Sequence, residues 1–65
     1  MKVLLRNPRR ELDMAGPRRV HALLADLGLA RESHLVIRNG TLVPGDAELL
    51  DDDLVEVRPV ISGGS

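Results

Sequence analysis

Apolar positions fall in short runs along this chain, and the period changes from run to run. "MKVLLR" is rich in strand formers, and the Asn-Pro of "NPRR" after it signals a turn. "RELDM" then alternates polar Glu11 and Asp13 with apolar Leu12 and Met14, as a half-buried strand does, so the two runs predict a hairpin. "AGP" ends it, with Pro17 suited to the first turn of a helix because its missing N–H costs nothing there. Val20, Leu23, Leu24 and Leu27 follow at i, i+3, i+4 and i+7, the spacing of one helical face, and Gly28 is the expected stop. In "HLVIRNGTLV" the pair Asn39-Gly40 interrupts a strand-rich run and suits the positive φ angles of a tight reversal. "DAELLDDD" predicts a short helical turn over Ala47 to Leu50 and then an acidic corner, and "LVEVRPVI" the last strand, with Val55 and Val57 on one side and Leu54, Glu56 and Arg58 on the other.

One helix between two groups of strands predicts an α+β layout, a mixed sheet of four to five strands covered on one face by the helix. Alternation then places Val3, Leu5, Leu35, Ile37, Val55 and Val57 toward the helix. Leu4, Val36, Arg38, Glu56 and Arg58 fall on the opposite, open face, as a candidate partner-binding surface. No repeat or linker divides the chain, so a domain over residues 1–61 and a flexible tail over 62–65 are expected.

Composition narrows the function more than the fold. A chain of 65 residues buries only about 60% of its unfolded surface, which leaves a thin core and no room for an enclosed active site. Cysteine is absent, so the chain has no disulfide, thiolate metal site or thiol nucleophile; Phe, Tyr and Trp are absent too, which removes the usual stacking platforms for single-stranded nucleic acid. Nine basic against ten acidic residues give a net charge of -1 and no overall attraction for polyanions, so neither nucleic acid nor membrane is an expected partner. The apolar runs are too short to span a bilayer, and the amino-terminal segment turns polar too soon for a signal peptide, so the cytoplasm is the expected location.

Catalytic signatures are missing. Asp51, Asp52 and Asp53 lack the alternating ligand spacing and distal Glu of a calcium loop and read as a solvated turn; His21 and His34 have no metal-ligand spacing and read as surface or strand-edge residues. No catalytic residue and no metal ligand is assigned. Arg6, Arg9, Arg10, Arg18 and Arg19 form either a basic docking patch or a solvated hairpin rim. What stands out is "RPVISGGS": two adjacent glycines lose much backbone entropy on ordering and offer nothing to pack, a poor way to finish a fold unless the end itself works.

"VIRNGTLVP", the acidic corner of "LLDDDLVEVRPVISGG", the "LGL" after the helix and the terminal Gly-Gly together resemble the ubiquitin-like sulfur-carrier family of ThiS-, MoaD- and TtuB-like proteins. The resemblance covers nearly the whole chain and implies a β-grasp, ubiquitin-like fold with a flexible Gly-Gly tail. It implies a carrier and not an enzyme. Ser62, Gly63 and Gly64 would be the working tail, and the carboxyl of Gly64 would be adenylated by a ThiF/MoeB-like enzyme using ATP and magnesium. A sulfur donor would then turn it into a thiocarboxylate that a downstream acceptor enzyme consumes in cofactor or tRNA-thiolation biosynthesis. Attachment to lysines as a protein modifier is a further implied use.

The chemistry is coherent, because a carboxylate becomes a useful electrophile only once its oxygen is a leaving group, and sulfur held on the terminal carbonyl needs no thiol on the carrier. Ser65 departs from the family pattern. It is expected to be a pro-residue cut at the Gly64–Ser65 bond by a JAMM-type zinc metallopeptidase, a cloning remnant, or the mark of a paralogue that is not activated. The rival to the carrier is a non-catalytic ubiquitin-like interaction module with an inert tail.

Overall fold

The computed structural model describes residues 1–6 and 9–60. Its elements run β1 (Lys2–Leu5), β2 (Arg10–Asp13), β3 (Arg18–Arg19), α1 (Val20–Asp26), a 3₁₀ turn (Arg31–Ser33), β4 (His34–Arg38), β5 (Thr41–Val43), β6 (Glu48–Leu49) and β7 (Leu54–Pro59). The main sheet has five strands in the order β2-β1-β7-β4-β5, with β3 and β6 forming a separate pair. β1 and β7 lie parallel at its centre, and the β1–β2 and β4–β5 neighbours are antiparallel. This mixed sheet with one helix on one face is the β-grasp arrangement. The Asn-Pro turn lies outside the described residues, although the strands on either side pair as a hairpin should.

Val3, Val55 and Val57 project from the two central strands onto Val20, Leu23 and Leu24 of α1, and Met1, Val36 and Leu49 complete the buried core. Leu27 packs at its margin. Gly28 ends the helix at φ +72°, and Asn39 and Gly40 turn the β4–β5 hairpin at φ +49° and +84°.

Two predicted features are replaced by one. Residues 48–49 form strand β6 and not a helical turn, and the helix begins at Val20, three residues beyond Pro17. The physical reason is a single pairing. Arg18 and Arg19 are drawn into register with Leu49 and Glu48, which holds the chain extended up to Arg19. That pairing seats the 44–47 loop over the start of α1. The Val20 and His21 N–H groups donate to the carbonyls of Ala47 and Gly45, both at 3.0 Å, so two donors that every helix start leaves unmet are satisfied by backbone. Arg19 therefore caps the helix without any side-chain bond.

Candidate functional site

β7 is the central strand, and it delivers the chain to the candidate tail. At its end Pro59 stands opposite His34, and the N–H of Val60 donates to the carbonyl of Ser33 at 2.7 Å. The root of the tail is thus fastened to the 3₁₀ turn that precedes β4. A cleft of about 280 Å³ opens beside it, lined by Arg6, Arg10, Leu27, Leu29, His34 and Pro59 among others. Ser62, Gly63, Gly64 and Ser65, on which the adenylation and processing predictions fall, lie outside the described residues.

The open face of the sheet corrects the predicted partner surface at two of its five residues. Leu4 and Glu56 are cross-strand neighbours on it, with Arg58 further along β7. Val36, however, pairs with Val57 and is only 2% exposed, while Arg38 pairs with Val55 and sends its guanidinium along the helix side to the carbonyl of Glu48 at 2.8 Å. Conversely Leu35 and Ile37, predicted to face the helix, stand opposite Arg58 and Glu56 on the open face. The whole parity of β4 is reversed. In β7 the two faces differ plainly, valines against Glu and Arg, whereas both faces of "HLVIR" carry apolar residues, so the strand's own pattern does not choose. Pairing with β7 chooses for it, and a one-residue difference in register moves every side chain across the sheet.

The resulting surface is apolar with a charged centre. Leu4, Leu35, Ile37, Leu42 and Leu54 surround Glu56, and three of them are substantially exposed: Leu35 at 44%, Leu42 at 58% and Leu54 at 46%. Arg58 Nε donates to Glu56 Oε2 at 2.7 Å and Arg6 Nε does so at 3.2 Å. The Arg58 hydrogen bond is the main reason that the Glu56 carboxyl is held below its ordinary range; partial desolvation opposes it, and the charges of Arg58 and Arg6 add to it. Pattern alone puts Leu35 and Ile37 on the wrong face and Leu42 on neither, whereas it puts Leu54 on the Glu56 side, where it stands. The Asn39-Gly40 turn sets β5 against β4 and puts Leu42 opposite Ile37, but which face the two share follows only from pairing with β7.

The acidic corner is a solvated turn, with Asp51 and Asp52 exposed, that its own side chains tie together. Asp53 accepts the Leu50 N–H at 2.8 Å and the Asn39 side-chain amide at 3.1 Å, and Asp51 accepts the Gly16 N–H at 3.0 Å. The five predicted arginines divide: Arg6, Arg9 and Arg10 stand on the β1–β2 hairpin near the tail root, whereas Arg19 reaches the Asp46 carbonyl and Arg18 pairs with Asp26. Among the described residues no group of three or more His, Asp or Glu could hold a metal ion, and no helix is long and apolar enough to cross a membrane.

Comparison with known proteins extends to the part of the chain beyond Val60. The model of the ThiS family matches residues 3–64. The chain is also similar to the sulfur carrier protein TtuB of Thermus thermophilus, 37% identical over 65 aligned positions that cover 98% of this chain and 100% of the relative. With the strand order, the single helix and the match running unbroken from β1 to the second tail glycine, the chain belongs to the ThiS family.

Proposed function

We propose that this chain is a protein-borne sulfur carrier whose reacting group is the C-terminal carboxyl of Gly64. The observation that carries the reading is the extent of the family match, which runs through Gly64 and stops short of Ser65. The similarity to a relative named as a sulfur carrier supports it over its full length. The chain is then a substrate of enzymes. A Gly64 carboxylate oxygen attacks the α-phosphate of ATP held with magnesium by a ThiF/MoeB-like enzyme, pyrophosphate leaves, and the acyl adenylate becomes open to nucleophiles. A sulfur donor replaces AMP to give the thiocarboxylate, and an acceptor enzyme in cofactor or tRNA-thiolation biosynthesis takes the sulfur.

The site geometry supports a division of parts. Gly63 and Gly64 carry no side chain to obstruct entry into a narrow active site, and β7 leads toward them from the middle of the sheet. The adenylating enzyme docks on the open face around Leu35, Ile37 and Leu42, where apolar area supplies affinity and the Arg6–Glu56–Arg58 cluster fixes orientation. Ser65, where present, is removed by a JAMM-type metallopeptidase before activation. The test is to incubate chain ending at Gly64 with ATP, magnesium, the adenylating enzyme and a sulfur donor, and to follow pyrophosphate release and intact mass. Exchange of one oxygen for sulfur is expected, with none for chain that retains Ser65. An adenylating enzyme that binds the chain but never releases pyrophosphate would leave the inert interaction module as the better reading.

A further inference from the structure

Asn39-Gly40 does more than reverse the chain. In this dipeptide a side-chain amide lies open to attack by its own backbone, because glycine has no Cβ to shield the nitrogen that follows the asparagine. Both residues are exposed, and a Cβ built at Gly40 would meet nothing within 4 Å, so neither crowding nor exclusion of water hinders that reaction. Geometry does. Asn39 sits in the left-handed region at φ +49°, as the turn requires, and its carboxamide is engaged at both ends. Oδ1 accepts the Leu54 N–H at 2.9 Å, and Nδ2 donates to Asp53 Oδ1 at 3.1 Å. The Asn39 N–H donates to the Leu54 carbonyl at 2.8 Å, and the other Asp53 oxygen is fixed by the Leu50 N–H at 2.8 Å. Backbone and carboxamide are thus clamped together onto the start of β7. To meet the Gly40 nitrogen, the carboxamide must release both partners and turn back along its own chain.

We propose that Asn39 is a modification site gated by the fold: its carboxamide converts to a carboxylate only when the clamp onto Asp53 and Leu54 opens, and conversion then weakens the tie between the β4–β5 hairpin and β7. The chemistry is independent of the carrier reading. In the reaction the Gly40 nitrogen bonds to Asn39 Cγ and closes a cyclic imide. The Cγ–Nδ2 bond breaks, and Nδ2 leaves as ammonia, taking the proton from the Gly40 N–H. Water then opens the ring at either carbonyl, which leaves an aspartate at position 39 or, with the chain routed through the side chain, an isoaspartate. Water is consumed and ammonia released, with no change of oxidation state. Either product sets a carboxylate against Asp53 where the amide donor stood, so a hydrogen bond becomes a repulsion between like charges. Isoaspartate also adds a backbone carbon to the turn that sets Leu42 opposite Ile37, and so disturbs the hairpin register.

The test uses the full chain and no partner. Folded protein is kept at physiological temperature and mildly alkaline pH beside the same chain in concentrated urea, with peptide mapping by mass to locate conversion at Asn39. Folded wild type should convert about tenfold or more slower than chain in urea. Asp53→Ala, which removes one side of the clamp, should convert about threefold or more faster than wild type brought to the same stability with urea, matched by circular dichroism. Amide hydrogen exchange on wild type gives a second reading that no variant can spoil. The Asn39 and Leu54 amides should open more often than those of Val36 and Val57, which lie in the core. Any of three results would overturn the proposal: folded and urea-treated wild type converting at one rate, Asp53→Ala converting no faster than wild type of equal stability, or the Asn39 and Leu54 amides exchanging only together with the core.

Discussion

Asp53 ties together two segments that the sequence separates. Its carboxylate accepts the Leu50 N–H and the Asn39 side-chain amide, while Asn39 in turn accepts the Leu54 N–H at 2.9 Å and donates its own N–H to the Leu54 carbonyl at 2.8 Å. The Leu50 hydrogen bond chiefly holds this carboxyl below its ordinary 3.8; desolvation opposes it, and the Asn39 bond and the charge of Arg38 add to the lowering. A depressed folded-state value means that the contribution is complete above the unfolded value and is lost as pH falls through the folded one. The melting midpoint of wild type should therefore drop on acidification below ~3.8, and that of Asp53→Asn, lower at neutral pH, should drop less, so that the two curves converge in acid. Parallel curves would assign the acid loss to other carboxylates. At β4 the same scale separates neighbours. Val36→Asp buries an unpaired carboxylate at a cost of several kcal/mol and should abolish cooperative unfolding, whereas Leu35→Asp, on the open face, should shift stability by about 0.5 kcal/mol or less by chemical denaturation.

At the scale of the element, α1 shows how little of a short helix's stability is its own. Seven residues are too few to hold a helix in water, and this one has no acidic residue in its first turn and no side-chain cap. Its stability comes from Val20, Leu23 and Leu24 in the core and from the two backbone bonds to the 44–47 loop. Leu24→Ala should cost about 2–5 kcal/mol, a large part of what so small a core supplies, and an unchanged melting curve would contradict the packing. Gly16 is the matching case outside the helix. A Cβ there would stand 2.9 Å from the Asp51 nitrogen and 3.0 Å from the Leu50 carbonyl carbon, both backbone atoms. Gly16→Ala should therefore separate the 50–53 turn from the β2–β3 connection, lowering the midpoint and raising amide exchange at Gly16 and Leu50.

At the scale of the whole molecule, Arg6, Arg9, Arg10 and Arg58 lie toward the end of the sheet where β7 finishes, with Glu56 among them. Asp13, Asp51, Asp52 and Asp53 lie toward the end where it begins, beside Lys2, Arg38 and the Met1 amino group. On the proposed docking surface, Leu42→Asp should weaken binding to the adenylating enzyme by about 10-fold or more while leaving the fold intact. Calorimetry against that enzyme, with circular dichroism as the check on folding, would decide it. Equal affinity would move the docking surface elsewhere.

Some of this was legible in the residues alone. The alternation of β7 and of β2, the stripe of Val20, Leu23 and Leu24, and the Asn39-Gly40 turn all express preferences between neighbours close in sequence, so strand, helix and hairpin could be read before any contact was known. The Gly-Gly pair stands out in the sequence for the opposite reason, since it offers no side chain to pack, and it lies outside the described residues. What needed the tertiary structure were the choices that local preference leaves degenerate. β4 is apolar on both faces, and only its register with β7 decided that Val36 enters the core while Leu35 and Ile37 join the open face. Residues 47–50 satisfy a helical turn or a strand equally well alone, and pairing with Arg18 and Arg19 decided for the strand, taking Leu49 to 0% exposure and closing the start of α1. Pairing partners lie tens of residues away, and a register of side chains is a property of two strands, which no single stretch of sequence contains.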